Sequence, residues 1–123
     1  MGELKKLAVL GSIYPWLFHA SLYATWLVAW WSLGAPPRPS WDDPANIGAI
    51  GLPSLITGLL FAGAPLALLI TLSCLLLLGF LLFRRKRLDF RYLNLWGLVI
   101  LLWGAAILLL VWDPLRVWYW YLD

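Results

Sequence analysis

A single histidine, His19, stands inside a long apolar run, where an imidazole is costly unless it finds a hydrogen bond or a ligand. Ser12, Trp16, His19, Tyr23, Trp26 and Trp30 follow one another at alternating spacings of four and three residues, which sets them on one stripe of a helix. Such a stripe is expected to face protein or cofactor rather than lipid. The chemistry open to it is axial ligation of a tetrapyrrole metal by His19, with Trp16 and Tyr23 as walls against the macrocycle. Bis-histidine haem ligation would need a second histidine. A (bacterio)chlorophyll needs only one protein ligand, and a carotenoid or quinone needs none. The simpler reading, which we favour, is a histidine hydrogen-bonded to a neighbouring helix or a backbone carbonyl.

The other residues with chemical potential are few. Asp42 and Asp43 could hold a cation or act as acid and base, but no third ligand lies close in sequence. Asp before Pro favours the start of a helix, so one of them is expected to cap a short helix beginning at Pro44 or Ala45. The pair could also meet Arg38 or Arg116. The lone Cys74 forms no intramolecular disulfide and supplies no paired thiolates. No metal site is expected. The sequence holds no glycine-rich phosphate loop, nucleophile elbow or paired histidines, and no acidic residue in the apolar cores. An enzyme or transporter is therefore the reading least supported, and no catalytic residue is assigned.

The elements that must position these residues are set by composition. Of 123 residues 63% are apolar and 12% charged, against about half and about a quarter in a soluble domain. Lipid has to cover most of such a surface. The sequence predicts an all-α integral membrane protein of one domain, with three transmembrane helices over Leu7 to Leu33, Ser54 to Phe83 and Tyr92 to Trp112, and an interfacial tail over residues 113–123. The first apolar run continues through Trp30 and Trp31 without a cleavage site, so it is expected to be a retained span. The second is long for one span and contains Pro65, which leaves two arrangements: one kinked or tilted helix, or a re-entrant piece over residues 47–62 with the span proper beginning near Pro65. In the tail, Leu115, Trp118, Tyr119 and Leu122 fall on one side of a short helix expected to lie flat in the interface.

Orientation follows from the basic residues. Lys5, Lys6, Arg84, Arg85, Lys86, Arg87 and Arg91 fall on one side of a three-span chain, and Arg38 and Arg116 on the other. The amino terminus is therefore expected to be cytoplasmic and the carboxyl terminus periplasmic. The net charge of +3 reflects this topology rather than nucleic-acid binding. Seven of the ten Trp, namely Trp26, Trp30, Trp31, Trp41, Trp112, Trp118 and Trp120, then gather toward the outer face. We expect Trp26, Trp30, Trp31, Trp112, Trp118 and Trp120 to contact partner or lipid there. Arg84, Arg85 and Arg87 are expected to meet anionic lipids at the cytoplasmic loop. Gly58 with Ala62, and Gly97 with Gly104 one heptad apart, permit close helix approach.

The stretch Leu33-Gly34-Ala35-Pro36-Pro37-Arg38-Pro39-Ser40-Trp41-Asp42-Asp43-Pro44 resembles the loop of small bacterial inner-membrane proteins, in which a Leu-Gly pair is followed by Arg-Pro-Ser and Asp-Asp-Pro. The resemblance spans about a tenth of the chain. It implies a bacterial inner (cytoplasmic or intracytoplasmic) membrane and transfers no activity or functional residue. Two functions fit these features: an accessory or structural subunit packed against a larger membrane complex, photosynthetic (antenna or reaction centre) or respiratory, and a pigment-, quinone- or haem-binding protein that uses His19.

Overall fold

A computed structural model describes residues 1–86 and 90–122 of the protein, and every described element is helical. Helix α1 spans Gly2–Leu33, α2 Gly51–Arg84, α3 Phe90–Trp112 and α4 Val117–Leu122. Two single 3-10 turns, Pro44–Asn46 and Gly48–Ile50, lead into α2. Three of the helices are long and apolar enough to cross a membrane.

Helix α1 starts five residues before the apolar run expected at Leu7 because its polar first turn is itself a good helix: Glu3 and Lys6 pair one turn apart at 2.9 Å. It ends where Gly34 takes a positive φ of 70° and Pro36 and Pro37 follow, neither of which can donate to a preceding turn. Pro15 and Pro65 lie inside α1 and α2, and each leaves the carbonyl four residues earlier without its helical donor. Residues 51–84 nevertheless form one helix, so 47–62 is not a separate helical piece: residues 51–62 are its first turns. The 3-10 turn at Pro44 is built as the Asp-Pro pair predicts, with the Asp43 carboxylate accepting from the Ala45 N–H at 2.8 Å.

The chain packs as two compact units, Met1–Trp16 with Gly63–Ala106, and Leu17–Ala62 with Ile107–Asp123. The core of the first is Ala8, Cys74, Leu75, Val99 and Trp103, with Leu4, Leu68 and Trp96 against it. Close approach here comes from glycines: a side chain at Gly11 would run into the Thr71 hydroxyl, at Gly63 into the Tyr14 hydroxyl and at Gly79 into that of Tyr92. Ala8 packs near Cys74 while Tyr14 meets Gly63, so α1 and α2 are antiparallel in this unit.

The core of the second unit is Phe18, Leu22, Trp26, Ala29, Ile47, Ile50, Val117 and Trp120. Helix α4 buries Val117 and Trp120, and the side expected to lie in the interface is the outward one, with Leu115, Tyr119 and Leu122 exposed and Trp118 half-buried. Leu115 itself precedes the helix, which begins only at Val117. That start is fixed by Asp113, whose two carboxylate oxygens accept from the N–H groups of Trp118 and Tyr119 at 3.1 and 2.8 Å.

Candidate functional site

His19 belongs to the second unit and is enclosed, with 4% of its surface accessible. Its ring lies 5.5 Å from that of Phe18, which is edge-on to Trp118 at 5.6 Å and tilted against Phe61 at 5.5 Å. Trp118 in turn stacks on Tyr121. The histidine therefore sits beside an aromatic cluster drawn from α1, α2 and α4. A macrocycle bound through His19 would have to displace these rings, because the imidazole has no open approach.

Tyr23 and Trp26 pack in the same core, while Trp16 falls in the first unit. Ser12 is fully buried, and its hydroxyl returns to the Ala8 carbonyl at 2.8 Å. Trp30 stacks edge-on against Trp26 at 5.0 Å but leaves much of its own ring exposed. The stripe is thus a buried face along most of its length.

Next to it lies a hydroxyl cluster that the sequence reading missed. The Ser21 and Thr25 hydroxyls of α1 both reach the Thr57 hydroxyl of α2, at 2.7 and 3.1 Å. Thr25 and Thr57 also hydrogen-bond to the carbonyls of Ser21 and Pro53 in the turn before each. Three hydroxyl protons serve these contacts: Thr57 donates to the Pro53 carbonyl and accepts from Ser21, and the single Thr25 proton is shared between the Ser21 carbonyl and the Thr57 oxygen, so the three groups satisfy one another without a charge. The signal was the Ser21/Thr25 spacing of one turn, which carries no partner in sequence.

The expected interface tryptophans divide. Trp31 and Trp112 are largely exposed, at 88% and 73%, and Trp118 is half-buried. Trp26 and Trp120 are buried instead. The Trp120 indole N–H donates to the Asp42 carbonyl at 2.7 Å, and this bond ties the tail to the proline-rich loop. The fold thus supplies the Trp120 N–H with the partner a buried indole usually finds, whereas the Trp26 N–H is buried without a hydrogen bond among the described residues. The Asp42 carboxylate is engaged as well, accepting from the Arg38 backbone N–H at 2.8 Å and its guanidinium at 3.4 Å. Among the described residues no group of three His, Cys, Asp or Glu could hold a metal ion.

Arg84, Arg85 and Lys86 are exposed at the end of α2, with the Arg84 guanidinium 5.9 Å from the Phe80 ring centre. Arg87 lies outside the described residues. On α3 the buried residues Val99, Trp103 and Ala106 define one face. The opposite face presents Asn94, Gly97, Leu101 and Gly104, all exposed. Side chains built at Gly97 or Gly104 would meet nothing within 4 Å, and the Asn94 amide makes no hydrogen bond among the described residues. Gly58 differs: Tyr121 covers it, with the hydroxyl 3.4 Å from where a Cβ would be.

Comparison with family models, curated proteins and solved structures finds no match to this chain, so the loop resemblance gains no support from them.

Proposed function

We propose that this chain is a multi-pass inner-membrane protein, with its amino terminus and basic loop cytoplasmic, that acts as a non-enzymatic accessory subunit of a larger membrane complex. The observation that carries this reading is the uncovered face of α3. Glycines in a lipid-facing helix give up packing contacts and gain nothing from flexibility, whereas at a helix–helix contact they let two backbones approach closely. Among the described residues nothing lies within 4 Å of a Cβ built at Gly97 or Gly104, in contrast to Gly11, Gly63 and Gly79, each of which receives a side chain. Asn94 on the same face offers an amide that can bond across to a second helix and fix its register.

The basic groups support the orientation, since Lys5 and Lys6 of α1 and Arg84 at the end of α2, with Arg85 and Lys86 just after it, fall at corresponding ends of antiparallel helices. Enclosure of His19 supports a packing role over that of a pigment ligand. The reading is tested by placing a photo-crosslinking amino acid at Leu101 in the native membrane. A discrete adduct with a second, larger protein is expected, and labelling of lipid alone would contradict the proposal.

A further inference from the structure

We infer that Arg84 binds the phosphate of an anionic phospholipid, one acyl chain of which lies along the outward face of α2. The inference rests on the membrane-spanning part of the proposed function and not on the partner complex. Ser73, Leu77, Phe80 and Arg84 recur at spacings of four, three and four residues, so they share one side of α2, and all four are exposed. Leu75, Leu78 and Leu82 point the other way and are buried. The side that carries Arg84 is therefore the one turned away from the core.

Arg84 is held at the end of that face. Its guanidinium lies 5.9 Å from the Phe80 ring centre, one turn back along the helix, the direction in which helical side chains lean. A contact with a ring uses none of the N–H donors, and Arg84 makes no ion pair or side-chain hydrogen bond among the described residues. A planar fork of donors at the head of an apolar face matches a phosphate, which accepts from it in pairs. From Ser73 to Arg84 the helix rises about 16 Å at 1.5 Å per residue, close to half of a roughly 30 Å hydrocarbon core, which is the depth of one leaflet. Arg85 and Lys86 are exposed and make no ion pair among the described residues either. Arg85, however, lies about 100° further round the helix, and Lys86 follows its end, where the backbone takes a φ of 50°. Of the three, only Arg84 continues the apolar face. A second protein on this face would have to bring a carboxylate to Arg84 and an apolar surface to Leu77 and Phe80, whereas a phospholipid carries anion and chain in that order.

The test is native mass spectrometry of the delipidated full chain resupplied with phosphatidylglycerol or phosphatidylcholine of identical acyl composition. Wild type is expected to retain phosphatidylglycerol about tenfold better, and Arg84→Gln to lose about fivefold of that preference. Arg84→Lys, which keeps the charge without the fork, should fall between the two. Arg85→Gln should cost less than about twofold, and Lys5→Gln with Lys6→Gln should keep the preference. All these side chains are exposed, so the variants test binding rather than folding. Equal retention of both lipids by wild type overturns the inference. So does an Arg85→Gln effect as large as that of Arg84→Gln, which would reduce the site to diffuse positive charge, and so does a preference lost only with Lys5 and Lys6. Alkaline carbonate extraction separates the two levels. A chain released by carbonate contradicts membrane insertion itself, and a chain that stays in the pellet without lipid preference contradicts only the Arg84 site.

Discussion

The hydroxyl of Tyr92 donates to the Leu75 carbonyl at 2.9 Å, directly over Gly79, whose hydrogen stands where any side chain would block the approach. Tyr121 repeats the arrangement in the second unit, donating to Ser54 beside Gly58 at the same offset of one turn. A helix carbonyl already bonded within its helix keeps a second lone pair, and a glycine one turn later leaves it accessible.

Gly79→Leu should therefore evict the Tyr92 ring and lower stability by about 1–3 kcal/mol, the range for overpacked contacts. Tyr92→Ala should remove much of that penalty when the two are combined. Thermal unfolding in detergent across the double-mutant cycle measures this, with a coupling of at least about 0.5 kcal/mol expected. Additive effects would show that the two residues do not share a contact.

Thr57→Val keeps the shape of the side chain and removes the hydroxyl that both Ser21 and Thr25 reach. Hydrogen bonds between membrane helices average about 0.6 kcal/mol, so the loss of two should cost on the order of 1 kcal/mol, and Thr57→Ser should restore most of it. Reversible unfolding in mixed micelles compares the three proteins. A Val variant as stable as wild type would show that the hydroxyl cluster does not hold α1 to α2.

Trp120→Phe deletes the indole N–H that holds the Asp42 carbonyl and leaves that acceptor unsatisfied, at a cost of about 1–3 kcal/mol. Asp113→Ala should cost about 0.5–2 kcal/mol through the lost cap of α4. Both should raise the rate of proteolysis within residues 34–46 and in the tail. Unchanged cleavage in Trp120→Phe would mean that the tail is held independently of that bond.

The three apolar helices and the breaks between them were legible in the sequence because long apolar runs, prolines and a basic cluster act locally. A cap from one of Asp42 and Asp43 was legible for the same reason, and the fold shows that it is Asp43. The fate of Trp120 was not: its position among tail aromatics suggests an interface, and only the fold brings Asp42 to it. Asp113 likewise reads as a helix breaker before proline, while its reach to Tyr119 depends on the positive φ values of Asp113 and Arg116, 38° and 54°. Gly58, Gly63 and Gly79 show only that α2 can be approached closely, not that a tyrosine covers each. Of the candidate site, the His19 stripe was visible as a pattern, whereas its enclosure depends on Phe18 and the rings packed against it, which no spacing in α1 encodes.

The proposed function requires that the Gly97 and Gly104 face of α3 dock on another membrane protein. The most direct measurement is the stoichiometry of proteins co-purified in mild detergent with tagged wild type and with Gly104→Leu, from membranes that contain equal amounts of each chain. A larger partner near one-to-one with wild type is expected, reduced about tenfold or more by Gly104→Leu, since a leucine at a close helix contact holds the backbones apart. A partner retained equally by both proteins, or a wild-type chain that purifies alone, would contradict it.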